Sequence, residues 1–358
     1  MAEIPSLLSN QLDTIVDAVL ANPLEEENVI SLYRYLKKTE SKTAISTTKL
    51  SKLSETLNAL SFHSSLKNSV YCCKLLSLLD DSCVMANVQK MIERLEVKCN
   101  LNDLAILSVL ALKAPLIIST HSKFILSFCK DLLLKQEQED LDNLNLIEEV
   151  KKEWSDLLLL PAPIAKKILA LKTIVNFTRG KLMENTISTD QFSSLYHFLI
   201  RIIENHGCIT DSPQEESSVG KKVLEAQLRL HSGLGVLQFS KFTLAADLVK
   251  IDDVFLLAQD ESFAVREGFY SKLYKYLLSA SIPKPFISIF FLAAFEPSKG
   301  LKSKIAVFTD TLRRNNQKEA FYVEKQIFQI FKLLAIHPDF GVDAEEIAMF
   351  KKYQNSKL

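Results

Sequence analysis

Apolar residues return at helical spacing along almost the whole chain. Leu104, Leu107, Leu110 and Ala111 form one such stripe, and Leu195, Phe198, Leu199, Ile202 and Ile203 form another. Each stripe is one-sided and needs a partner. Short polar breaks separate the stripes, and the pattern predicts helices over 5–21, 26–38, 49–61, 67–79, 82–98, 102–113, 119–135, 143–159, 162–179, 188–206, 218–240, 252–259, 262–279, 284–295, 299–315, 317–336 and 343–354. Paired in order, they make helix hairpins of about forty residues, a length typical of stacked helical repeats.

Local signals support these boundaries. Asn102-Asp103 and Ser188 through Asp190 offer side-chain caps, and Pro161, Pro163, Pro283 and Pro297 stand at first-turn positions. Gly180, Gly207 and Gly341 follow apolar runs, where C-caps are expected. A lone hairpin leaves an apolar face bare until the next one covers it, so the expected architecture is an all-α solenoid. Lys38–Thr48 and Asp211–Gly220 read as solvated loops, with Ser212-Pro213 an ordinary connector, and Gln136–Asp140 ends a hairpin.

Composition narrows the functional classes. Only 8 glycines and 10 prolines occur in 358 residues, far below the ~7% glycine of an average chain. Folds with many tight turns, dinucleotide-binding and P-loop enzymes among them, fit poorly. The 43 basic residues balance the 43 acidic ones, so no net field draws the molecule to nucleic acid or an anionic membrane. The longest uncharged apolar run, Pro285–Phe295, is too short to span a bilayer. Six cysteines without repeated C-x-x-C spacing read as reduced intracellular thiols, which leaves the Asn176-Phe177-Thr178 sequon without meaning.

Candidate chemistry is sparse. No phosphate-binding glycine motif occurs, and His231-Ser232-Gly233-Leu234-Gly235 lacks the glycine before Ser232 that a nucleophile elbow needs. His63 with Cys72 and Cys73 makes a poor metal set, because adjacent cysteines on a helix diverge by about 100°. The expectation is therefore no enzyme, no metal and no cofactor. Basic pairs occur at Lys166-Lys167, Lys221-Lys222, Arg313-Arg314 and Lys351-Lys352. Lys172 and Arg179 lie one heptad apart, roughly on one face of the 162–179 helix, and with Lys166 and Lys167 they are the candidate contact for an acidic partner.

The most informative segment runs from Phe255 to Leu277. Asp260, then Val265-Arg266, opens a helix with apolar residues at 269, 273 and 277, and this resembles the second helix of a HEAT repeat. Asp260 can cap that helix, Val265 packs into the stack, and Arg266 can reach the equivalent acidic cap of a neighbouring repeat. These are scaffold residues.

Asp260-Glu261, Val265-Arg266, Phe269 and Lys272-Leu273, with Leu228-Arg229-Leu230 and Gly233 upstream, resemble the C-terminal HEAT region of the Pds-five (precocious dissociation of sisters) family of cohesin-associated cohesion factors. Ile282-Pro283, Ala293-Ala294, Glu296-Pro297-Ser298-Lys299 and Leu333-Leu334-Ala335 before His337-Pro338-Asp339-Phe340 extend the likeness. Glu296 stands where that family's run has aspartate. Ala165–Thr178 and Ile202–Thr210 also resemble family segments, and Leu60–Leu79 and Ala105–Leu134 match more loosely.

The resemblance implies one HEAT solenoid over 1–358, with loosely matching repeats in 1–150, better-matching repeats in 151–355 and a polar loop at 211–220. Family members are much longer, so the chain corresponds to their C-terminal part or to a shortened homologue. It implies a non-enzymatic, nuclear, chromosome-associated adaptor that binds the kleisin subunit of cohesin, works with the wings apart-like releasing factor and the cohesin acetyltransferase, and contacts neither membrane nor specific DNA sequence. The alternative is a repeat scaffold for transport or trafficking clients.

Overall fold

The structure is a computed structural model that describes residues 3–39, 45–79, 81–97, 99–135, 160–209, 219–245, 247–315 and 326–335, with side chains described from residue 11 onward. The expected 143–159 and 343–354 helices, the start of the 317–336 helix, the 136–140 break, most of the 211–220 loop and the 337–340 turn lie outside those residues. Every regular element among the described residues is helical. The fold is all-α, as the apolar spacing predicts.

The helices gather into two compact units, Met1–Phe192 with Ile209–Leu224 and Ser193–Cys208 with Glu225–Leu358. In the first, helices pack on their neighbours in sequence and on the next but one. Glu26–Thr39 packs on Leu66–Leu79, that helix on Leu101–Lys113, and that one in turn on Ala162–Met183. This is the contact order of stacked hairpins. Leu53, Leu57, Leu75, Leu76, Leu104 and Leu107 are fully buried at these contacts, each contributing about 1.5–3 kcal/mol of burial.

In the second unit, Phe263–Leu278 packs on Phe255–Gln259, Lys284–Phe295 and Lys299–Asn315. Two expected α-helices are wound more tightly. The 252–259 segment is a pair of 3₁₀ turns, Ile251–Asp253 and Phe255–Gln259, and Lys284–Phe295 is 3₁₀ throughout. Three residues per turn places Ile287, Phe290 and Ala293 in one row, and all three are buried. Apolar spacing over so short a run does not separate the two windings.

Helix ends differ from expectation in three places. Ser262, not Asp260, stands at the N-cap of Phe263–Leu278, and Asp260 accepts the Ser262 amide at 2.8 Å from outside the helix. Asn100, not Asn102, caps Leu101–Lys113, accepting from the Asp103 amide at 2.8 Å, while Asn102 donates to the Ser64 carbonyl at 2.9 Å. Gly180 lies inside Ala162–Met183, and a Cβ there would sit 2.7 Å from the Ala111 carbonyl oxygen. It permits close helix approach rather than ending the helix. The chain turns later, at Asn185, which takes a left-handed backbone (φ 53°). Gly207 does lie at a helix end, with φ 94°, and a Cβ there would meet the Glu225 backbone.

Candidate functional site

The helix Ala162–Met183 carries the four basic residues named above, and the structure separates them. Lys167 is buried, at 6% exposure, and its Nζ donates to the carbonyls of Leu133 at 3.1 Å and Lys135 at 2.5 Å. It therefore closes the C-terminus of Ser122–Leu134, where carbonyls lack intrahelical partners and the helix dipole favours a cation. Its side chain is committed to the interior and cannot belong to an exposed contact. Lys166, Lys172 and Arg179 are half-buried. At 100° per residue Lys172 and Arg179 share a face, and Lys166 points about 120° away.

Arg179 is held from beneath. Its Nη1 donates to Asn176 Oδ1 at 3.1 Å, and Asn176 Nδ2 donates to the carbonyl and hydroxyl of Ser108 at 2.9 and 3.0 Å. The Asn176 amide, part of the sequon noted above, is thus used in helix–helix packing.

A second constellation lies in the other unit. Arg266 donates from Nε and Nη2 to Glu296 at 2.8 and 3.2 Å, and from Nη1 to the carbonyls of Asp260 and Glu261 at 2.6 and 3.1 Å. Arg229 holds Asp260 in the same bidentate manner and sends Nη1 to the His206 carbonyl at 2.6 Å. Each acid also accepts the backbone amide two residues on: Ser262 for Asp260 at 2.8 Å, Ser298 for Glu296 at 2.9 Å. Val265 is buried beside them. Glu296, despite its extra methylene, fills the role that Asp260 has in the preceding repeat.

Such pairs stiffen a repeat stack rather than perform chemistry, since every acceptor and most donors are used internally. Arg94 and Asp103 form a related pair in the first unit at 3.0 Å. Burial pushes the Asp103 carboxyl above the usual range, and the Arg94 guanidinium draws it partly back. The Arg229 pair escapes sequence reasoning because its partner lies 31 residues on, in the next repeat, and the Arg94 pair because its two residues, nine apart, meet only when the consecutive helices Asp81–Val97 and Leu101–Lys113 fold together.

Other candidates resolve into packing. Ser232 is fully buried within Val219–Phe239, with no hydrogen-bond partner for its hydroxyl. Cys72 and Cys73 are fully buried, and burial pushes both thiols up to about 12. Among the described residues no cluster of three His, Cys, Asp or Glu side chains could hold a metal ion, and no helix is long and apolar enough to cross a membrane.

Comparison with known proteins decides the family. The model of the family described as sister chromatid cohesion protein PDS5 matches residues 1–358. The chain belongs to the PDS5 family. The match includes the first 150 residues, where the quoted motifs fit only loosely. The sister chromatid cohesion protein PDS5 of Saccharomyces cerevisiae is 24% identical over 254 residues, 65% of this chain and 19% of that protein. Homolog A from Homo sapiens is 25% identical over 216 residues, 60% of this chain and 15% of its own length. The Schizosaccharomyces pombe protein is 28% identical over 137 residues, 37% and 11% respectively. These alignments span less than a fifth of each PDS5 relative.

Proposed function

We propose that this chain is a helical-repeat adaptor in sister chromatid cohesion. It binds the kleisin subunit of cohesin, acts on chromosomes in the nucleus, performs no chemistry of its own, and sets how long cohesin stays engaged. The observation that carries the reading is the PDS5 family match along all 358 residues. The helical stack is consistent with it, because a row of packed helices offers a ridged surface suited to an extended or helical peptide. On this reading the wings apart-like releasing factor and the cohesin acetyltransferase act on the same assembly.

Within the basic set, Lys172 and Arg179 are the contact residues, because they share a face of Ala162–Met183 and Asn176 orients the guanidinium. Lys166 stands apart and Lys167 is used internally. The test is capture of the source organism's kleisin by the purified chain carrying Lys172→Glu and Arg179→Glu together. Binding weakened at least fivefold, in a variant with unchanged circular dichroism, supports this surface. Unchanged capture removes it.

A further inference from the structure

Beside the surface just described, whose Arg179 lies within electrostatic reach of Lys113, three lysines recur one hairpin apart in the first unit. Lys37 lies on Glu26–Thr39, Lys74 on Leu66–Leu79 and Lys113 on Leu101–Lys113, three helices packed successively on one another. Lys37 and Lys113 are exposed and Lys74 is half-buried. None of the three has a carboxylate within ion-pair distance among the described residues.

The lysines come with aromatic neighbours. The Lys74 ammonium stands 4.4 Å from the Tyr71 ring centroid and 5.7 Å from that of Tyr33, and the two rings meet edge to face at 5.6 Å. Tyr33 and Lys37 are four residues apart on their helix, so one face carries both. The helix dipole accounts for Lys37 and Lys113, which occupy last turns. It does not account for Lys74, which lies further back along its helix with only like charges for company.

From this juxtaposition we infer that the Lys37, Lys74 and Lys113 row, floored by Tyr33 and Tyr71, is a docking site for a protein segment with clustered carboxylates and an apolar residue among them. Like charges gathered without counter-ions cost free energy that an acidic ligand relieves. Consistent with that crowding, Lys74 and Lys113 both sit below the ordinary lysine range: Lys74 through partial desolvation first, then Lys113 and Lys37, and Lys113 through partial desolvation first, then Lys37 and Arg179. A peptide fits better than nucleic acid: the tyrosine floor can take an apolar side chain, and the balanced overall charge supplies no wider basic field for a phosphate backbone.

The inference does not rest on the kleisin reading, and its probe is not drawn from kleisin. The full chain is titrated with a fluorescein-labelled twelve-residue peptide bearing six glutamates around a central leucine, and with a twin in which every glutamate is glutamine. The site predicts saturable binding of the acidic peptide, at least tenfold weaker binding of the twin, and at least a threefold loss in each of Lys74→Gln and Lys113→Gln, with Lys74→Arg retaining binding. Lys113 is exposed, so its variant keeps the test valid if Lys74→Gln misfolds. Equal binding of the twins, unchanged affinity in a folded lysine variant, or tighter binding of a single-stranded DNA 20-mer overturns it.

Discussion

Arg229 grips Asp260 through two parallel hydrogen bonds, Nε to Oδ2 at 2.6 Å and Nη2 to Oδ1 at 2.9 Å, with both side chains only 5% exposed. One hairpin later Arg266 grips Glu296 the same way, and its third nitrogen reaches back to the carbonyl of Asp260. The acid of one pair and the arginine of the next therefore meet through a backbone carbonyl. Two adjoining repeats are fixed in register by groups that are individually costly to bury and stable only together.

The consequence is a large penalty for breaking a pair from one side. Arg266→Ala leaves the Glu296 carboxylate, 1% exposed, without its cation, and the expected loss is about 3–5 kcal/mol. Arg266→Met combined with Glu296→Leu recovers part of it, but not all, because the carbonyls of Asp260 and Glu261 still lose a donor. Urea denaturation of both variants checks the order. A double variant no more stable than the single one contradicts it.

Ala280 ends Phe263–Leu278 in the left-handed region at φ 49°, with the Ser281 amide closing on the Tyr276 carbonyl at 2.9 Å. An L residue with a Cβ is strained there by about 1–2 kcal/mol. Ala280→Gly relieves that strain at some entropic cost, for an expected gain of about 0.5–1 kcal/mol and a higher Tm. A lower Tm contradicts the assignment.

Tyr270 is completely buried, its ring stacked on Phe290 at 5.8 Å, and its hydroxyl has no hydrogen-bond partner. Burial, with Glu296 nearby, pushes the phenol well above its usual range. Removing an unsatisfied buried hydroxyl while keeping the ring costs nothing and can return about 1 kcal/mol. Tyr270→Phe is expected to match or exceed the parent in thermal stability, and a clear loss points to a partner for that oxygen.

Burial pushes the thiols of Cys72, Cys73 and Cys129 up to about 12, against an ordinary 9.0. The folded state then holds protons that the unfolded chain releases, so stability falls as pH rises from about 9 towards 12. Below 9 these groups contribute no pH dependence. Iodoacetamide at pH 8 followed by mass spectrometry is expected to modify Cys83, which is partly exposed, well before these three. Early labelling of Cys73 contradicts the packing described.

Periodicity made most helices legible, including Lys299–Asn315 to the residue, because a one-sided apolar stripe has few other places to go. It was silent on winding at Lys284–Phe295, where apolar residues surround the axis and no stripe exists. The Asp260, Val265 and Arg266 spacing was readable because all three residues belong to one turn and its helix. Lys167 was not. A lysine one residue from Lys166 looks equally solvated in sequence, and only the third dimension places the Leu133 and Lys135 carbonyls in front of it. The Lys37, Lys74 and Lys113 row was hidden likewise, being spread over three hairpins.

The most direct test of the adaptor reading is calorimetric titration of the purified chain with the source organism's kleisin at two salt concentrations. The account predicts one-to-one binding that weakens as salt rises, and a further loss when Lys172 and Arg179 are both reversed in charge. A correctly folded chain that gives no heat and no complex with kleisin at either salt concentration would contradict it.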